Sequence, residues 1–136
     1  MTVVIDCNIF VMCLTPRSPY YLIYQALVGG KFKLALSAEI LLEYEEVIQR
    51  KYSTSTANAL VTLLSELNNV NQVNPHYKWR LIESDLDDNK YCDCAIAGQA
   101  DYIITEDKHF EVLKSIPFPS VTAITIDKFL EILKFS

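Results

Sequence analysis

The stretch Thr2-Val3-Val4-Ile5-Asp6 decides the fold of this chain. A short run of β-branched residues is typical of a buried strand, and this run ends in a carboxylate. Asp is rarely buried without a partner or a metal ion, so Asp6 is also a functional candidate. The alternative interpretation is a turn-forming Asp6 followed by Asn8.

Further apolar runs predict strands at 32–36, 102–105 and 121–125, with a brief strand within 70–75. Helical spacing and capping residues predict the helices between and after them, over about 19–28, 37–50, 53–69, 87–99, 107–114 and 127–134. Strands that alternate with helices and are continuously apolar indicate a largely parallel sheet. We therefore expect a three-layer α/β/α sandwich with a mostly parallel central sheet of four or five strands.

Length and composition limit the classes of protein. The 136 residues are 51% hydrophobic, which predicts one folded domain over 1–136 rather than disorder. The net charge of -5 argues against a broad basic surface for duplex binding. The four cysteines lack zinc-site spacing, so we expect them to be small core residues. No signal peptide or membrane span is evident in the sequence, which predicts a soluble, cytoplasmic protein.

Carboxylates follow the predicted strands and enter the predicted helices. In parallel sheets, sites form outside the carboxyl ends of the strands, so acids from distant segments meet there. Like charges held together require a counter-cation, and oxygen ligands suit Mg²⁺ or Mn²⁺. The candidates are Asp6, Glu43, Asp85, Asp87, Asp88, Asp93 and Asp107.

Each candidate also has an ordinary structural interpretation. Glu43 lies in a charge run typical of a solvated helix face, and Asp88 and Asp107 fit as helix caps. Asp93 is flanked by apolar residues, which favours a functional role. The scattered basic residues either solubilise the surface or flank the acidic end and hold RNA phosphates. The latter group comprises Lys31 with Lys33, Arg50 with Lys51, Lys78 with Arg80, Lys90 and Lys108.

Four segments, in order, resemble the motifs of PIN domains. Residues 3–10 resemble the opening strand, with its Asp and Asn, and 37–44 the second motif, with an acidic ligand in mid-helix. Residues 85–95 resemble the third motif, and 100–110 the strand followed by Thr-x-Asp. The chain looks most like bacterial VapC-like toxins of type II toxin–antitoxin pairs.

The resemblance assigns the acidic positions one by one. Asp6, Glu43 and Asp107 match the first, second and fourth positions. In compact PIN toxins the third Asp opens its helix about sixteen residues before the Thr of the last motif. Asp88 fits that position better, and Asp93, one turn further, is an alternative or additional ligand. Cys7 replaces the usual Thr or Ser after the first Asp.

The resemblance implies Mg²⁺- or Mn²⁺-dependent cleavage of single-stranded RNA by in-line attack of a metal-activated water. Asn8 and Thr105 would orient the ligands, and Lys90 and Lys108 would contact RNA. It also implies a small antitoxin partner and a homodimer. Two alternatives are a catalytically inactive PIN fold that binds RNA or protein, and a receiver-like phospho-accepting domain. A receiver needs Lys at the end of a late strand, where this chain has Thr125-Ile126-Asp127.

Overall fold

The computed structural model of the chain describes residues 1–135. The strands are β1 (Thr2–Ile5), β2 (Lys33–Leu36), β3 (Val70–Gln72), β4 (Tyr102–Ile104) and β5 (Ala123–Ile124). The α-helices are α1 (Cys7–Met12), α2 (Tyr21–Val28), α3 (Ala38–Lys51), α4 (Thr54–Glu66), α5 (Asn89–Ala97) and α6 (Ile126–Lys134). Two 3₁₀ helices cover Leu86–Asp88 and Lys108–Ser115. The predicted α/β/α fold is confirmed.

All pairings in the sheet are parallel, and the strand order is β3-β2-β1-β4-β5. The central strand β1 is buried on both faces, where Val3 and Val4 have no exposed surface. After β1 the chain forms β2 on one side of β1, and it later forms β4 on the opposite side of β1. This reversal opens a crevice at the carboxyl ends of β1 and β4, where open α/β sheets bind ligands.

Local sequence signals explain the long helices. The Ser37 hydroxyl accepts a hydrogen bond from the Ile40 N–H and caps α3, and the Ser53 hydroxyl accepts one from the Thr56 N–H and caps α4. These two helices pack against each other, and each carries an apolar stripe on one face. Residue 43 consequently lies in the middle of α3, one position before the buried Tyr44.

Several predicted boundaries were wrong. The segment after β1 forms α1, a helix that the sequence analysis did not predict, because Asp6 caps it and Ile9 and Phe10 are buried in the core. The segment predicted as a helix over 107–114 is a 3₁₀ helix. The strand predicted over 121–125 has only two paired residues.

The cysteines are core residues, as predicted. All four are buried and none is in a disulfide. Burial raises the pKa of each thiol to about 12, so the thiols stay protonated at neutral pH. Among residues 1–135, no helix is long and apolar enough to cross a membrane.

Candidate metal centre

Asp6 stands at the carboxyl end of β1 and is 7% exposed. The Thr105 hydroxyl, just past β4, donates to Asp6 Oδ2 at 2.8 Å, and the Asn8 N–H donates to Oδ1 at 3.1 Å. Burial raises the pKa of Asp6, and the nearby carboxylates of Glu43 and Asp107 raise it further, while the two hydrogen bonds act in the opposite direction. Asp6 is therefore a buried carboxyl group at the crevice, with the carboxylates of Glu43 and Asp107 nearby.

Glu43 reaches the same crevice from α3. The Tyr91 hydroxyl donates to Glu43 Oε1 and itself accepts the Cys7 N–H at 3.1 Å. Lys90 Nζ lies 3.5 Å from Glu43 Oε1 and 2.8 Å from Asp87 Oδ2, and its side chain is only 8% exposed. Tyr91 thus fixes the Glu43 carboxylate relative to β1, and Lys90 neutralises part of its charge.

Asp107 and Asp88 face each other across a histidine. The Asp107 N–H donates to Thr105 Oγ1 at 3.1 Å, which links this acid to the partner of Asp6. His109 Nδ1 lies 3.2 Å from both Asp107 Oδ1 and Asp88 Oδ2. Burial raises the pKa of Asp88 to about 6, and the charges of Asp107, Asp85 and Asp6 contribute in the same direction. The charge of Asp107 therefore acts on Asp6, and the charge of Asp6 acts on Asp88.

The donor set fits a divalent cation. The four acids are linked through shared partners: Thr105 joins Asp6 to Asp107, and His109 joins Asp107 to Asp88. Tyr91 joins Glu43 to the Cys7 backbone beside Asp6. The charges of Glu43 and Asp107 raise the pKa of Asp6, and those of Asp107 and Asp6 raise the pKa of Asp88. Carboxylate oxygens suit Mg²⁺ and Mn²⁺. Among the described residues, the acidic and histidine ligand atoms that all lie within 4.8 Å of one another are those of Asp85, Asp88 and His109, and this group shares Asp88 with the four carboxylates. We call the four carboxylates Asp6, Glu43, Asp88 and Asp107 the acidic centre.

Asp93 points to a different set of partners. Its carboxylate is 9% exposed and Oδ1 accepts the Trp79 N–H at 3.1 Å. Burial raises its pKa, and the charges that act on it are those of Glu39 and Lys78. The structure does not bring Asp93 together with the acidic centre, so spacing and contacts both favour Asp88 as the third acid.

The other predicted residues contribute in different ways. Asn8 contacts Asp6 through its backbone N–H, and its side chain is exposed. Lys108 is exposed and lines a cavity of about 750 Å³ together with Thr105 and Asp107. Lys90 forms ion pairs with Glu43 and Asp87, and its contact with RNA stays a prediction.

Two contributors, His109 and Tyr91, were not among the predicted site residues. The His109 N–H donates to Asp107 Oδ1, and its Nδ1 lies 3.2 Å from Asp88 Oδ2. Tyr91 is three residues after Asp88, so helical spacing puts both on one face. Asp85, a predicted candidate, has its carboxylate 3.8 Å from His109 Nδ1.

Replacing Thr105 with Val is expected to lower the affinity for Mn²⁺ by about 10- to 100-fold, the usual effect of losing a group that orients a metal ligand. Val keeps the side-chain shape but removes the donor to Asp6 and the acceptor for the Asp107 N–H. Thr105→Ser keeps the hydroxyl and should retain most of the affinity. Equal Mn²⁺ affinities of Thr105→Val and wild type in a calorimetric titration would show that the hydroxyl orients no ligand.

In the presence of EDTA, the contribution of Asp88 to the free energy of unfolding should fall as the pH rises from about 4 to about 6. The pKa of Asp88 is about 6 in the fold and about 4 when unfolded, so the folded chain binds more protons over this range. Asp88→Asn removes this contribution. Urea unfolding across the range should therefore give a stability difference, variant minus wild type, that grows with pH; a constant difference would contradict the assignment.

Comparison with known proteins places the chain in a family. Residues 2–109 match the family model described as PIN domain. A search of curated proteins finds no match. The fold is similar to that of a chain in the crystal structure of VapBC2 from Rickettsia felis bound to a DNA fragment from their promoter. The TM-score is 0.61 at 18% sequence identity, over 92% of this chain and 98% of that chain. Since the family model spans well over half of the sequence, the chain belongs to the PIN-domain family.

Proposed function

We propose that the protein is a Mg²⁺- or Mn²⁺-dependent endoribonuclease that cleaves single-stranded RNA, with residues 1–136 acting as one nuclease domain. The observation that carries the proposal is the chain of contacts at the carboxyl ends of β1 and β4, where Thr105 links Asp6 to Asp107 and His109 links Asp107 to Asp88. Tyr91 brings Glu43 to the same region through the Cys7 N–H. Membership of the PIN-domain family supports it. Phosphodiester hydrolysis is the chemistry that such an oxygen-rich, cation-requiring site serves best.

The four carboxylates would hold the cation, which when bound supplies an activated water and neutralises charge on the phosphate. Thr105 keeps Asp6 Oδ2 in one orientation, and Tyr91 does the same for Glu43. Lys90 and His109 offset part of the negative charge next to Glu43 and Asp88. Lys108, exposed beside Asp107, is placed to contact a substrate phosphate.

We also propose that the protein is the toxin of a type II toxin–antitoxin pair, acts in the cytoplasm as a homodimer and is held inactive by a small antitoxin. Support comes from the likeness to a chain of a VapBC2 complex, which was crystallised with a promoter fragment. Co-expression with the product of a short neighbouring reading frame tests this part. Recovery of a stable complex that lacks cleavage activity is expected; full activity in its presence would contradict it.

The nuclease proposal is tested with purified protein and single-stranded RNA of mixed sequence. We expect cleavage with Mn²⁺ or Mg²⁺, no cleavage with EDTA, and much slower cleavage of the same RNA annealed to its complement. Cleavage that persists in EDTA would contradict metal dependence. RNA binding without cleavage under every metal condition would identify an inactive binding module instead.

A further inference from the structure

Three aromatic rings form an exposed cluster near the acidic centre. The Tyr77 and Trp79 ring centroids are 4.5 Å apart, and the Trp79 and Phe118 centroids 6.1 Å. Tyr77 is 64% exposed and Phe118 80% exposed, while Trp79 is half-buried between them. We call these three residues the ring cluster. Large apolar side chains that contact one another at the surface mark an interaction site.

Basic side chains alternate with the rings along the chain. The segment 75–80 reads Pro-His-Tyr-Lys-Trp-Arg, and Lys78 and Arg80 are both exposed. Arg80 has a φ of 54°, a left-handed conformation that costs free energy in a non-glycine residue and persists only where its surroundings hold it. Exposed rings interleaved with cations are the two elements with which proteins bind single-stranded nucleic acid: bases stack on the rings and phosphates pair with the cations.

The ring cluster is fixed to α5, the helix that begins directly after Asp88. The Trp79 N–H donates to Asp93 Oδ1, and Asp93 lies on α5 directly after the segment that contains Asp88 and Lys90. This contact gives the buried Asp93 carboxylate a role outside the acidic centre, namely to hold the ring-bearing loop.

A cavity of about 180 Å³ beside the ring cluster is lined by Tyr77, Lys78 and Lys90. Lys90 Nζ lies 3.5 Å from Glu43 Oε1 of the acidic centre. Glu39 and Asp93 also line this cavity, and the charge of Lys78 acts on Asp93 there. Tyr77 of the ring cluster and Lys90, the partner of Glu43, therefore line the same cavity.

We propose that the ring cluster is a stacking platform for unpaired bases of the RNA strand, with Lys78 and Arg80 holding its phosphates. This inference rests on the proposed ribonuclease function and identifies the ring cluster as the surface that selects single-stranded RNA. A duplex hides its base faces, so a platform of this kind binds single strands and rejects paired ones. Every base has a stacking face, so the platform provides strand binding and not sequence preference.

Trp79 is the only tryptophan in the sequence, which gives the platform its own optical signal. In EDTA, where cleavage is blocked, titration with a short uridine oligonucleotide is expected to quench the tryptophan fluorescence saturably. The same oligonucleotide annealed to its complement should quench it weakly. Equal quenching by the duplex, or no change with the single strand, would overturn the proposal.

Variants at exposed positions separate stacking from folding. Tyr77→Ala and Phe118→Ala are each expected to weaken RNA binding about tenfold. Tyr52→Ala and Phe135→Ala remove exposed rings outside the cluster and serve as matched controls with unchanged affinity. Lys78→Gln should lower the salt dependence of log Kd by about 0.7, the value for one phosphate contact on a single strand.

The outcomes distinguish this proposal from the nuclease proposal. Wild-type affinity in both ring variants overturns the platform, even if the protein cleaves RNA. Quenching that the ring variants weaken, without cleavage on addition of Mn²⁺, supports the platform and contradicts the nuclease. Ring variants that lose an antitoxin but keep their RNA affinity overturn the platform and assign the cluster to a protein partner.

Discussion

Replacing Asp6 with Asn is expected to slow metal-dependent RNA cleavage by about a thousandfold or more, because cation binding is worth several kcal/mol of transition-state stabilisation and each 1.36 kcal/mol is tenfold in rate. Asp6 sits between Thr105 and the charges of Glu43 and Asp107, so it is the acid most central to the site. The amide keeps the shape and the acceptor for the Asn8 N–H but removes the charge. Cleavage is measured under single-turnover conditions with saturating Mn²⁺.

The matched control is Asp101→Asn. Asp101 precedes β4 at the opposite end of the sheet, where its Oδ2 accepts the Thr2 N–H. This variant should cleave RNA like wild type. The Asp6 variant should fold at least as stably in EDTA, since burial and neighbouring carboxylates make the ionised group unfavourable there. Wild-type cleavage by a folded Asp6→Asn protein would remove this residue from the reaction.

Replacing Asn89 with Ala is expected to lower the free energy of unfolding by about 3 kcal/mol and the melting temperature by roughly 10 °C. Asn89 Oδ1 accepts the Ile82 N–H at 2.9 Å, and its Nδ2 donates to the Ile82 carbonyl at 2.8 Å. Ile82 is fully buried, so the variant leaves two backbone groups without partners and without water. The same bonds tie the loop before Asp88 to α5, so the variant should also bind metal more weakly.

Asn58→Ala is the control for this substitution. Asn58 is exposed within α4, where Ala has the higher helix propensity, so its stability should change by less than about 0.5 kcal/mol. Both variants are compared by chemical denaturation in EDTA. An Asn89→Ala protein as stable as wild type would mean that water or a shift of the loop satisfies the Ile82 backbone groups.

The parts of the fold that were predictable are those with strong local signals. The run Thr2–Ile5 gave β1 with its bounds, because continuous β-branched residues have few alternatives to a buried parallel strand. Ser37 and Ser53 marked the starts of α3 and α4 through their capping hydroxyls.

The missed elements depend on contacts that sequence spacing does not contain. Helix α1 has six residues, fewer than local propensity can stabilise, and it forms because Phe10 stacks on Tyr44 with ring centroids 4.4 Å apart. The last strand, β5, was predicted, but it is shorter than its apolar run because only two of its residues pair with β4.

The candidate site shows the same division. Asp6, Asp107 and Thr105 were predictable because each follows a strand whose end position is set by the parallel sheet. The choice between Asp88 and Asp93 depends on the direction of two side chains on adjacent turns, which the Trp79 contact reveals. The pairing of Lys90 with Glu43 joins residues 47 positions apart and has no local signal.

The central claim, that Asp6, Glu43, Asp88 and Asp107 together hold a divalent cation, is tested most directly by calorimetric titration of Mn²⁺ into the protein and its single amide variants. The account predicts measurable binding by wild type that Asp6→Asn, Glu43→Gln, Asp88→Asn and Asp107→Asn each weaken. It predicts near wild-type affinity for Glu46→Gln, an exposed acid on the same helix as Glu43. Mn²⁺ binding that all four variants retain, or that the wild type lacks, would contradict it.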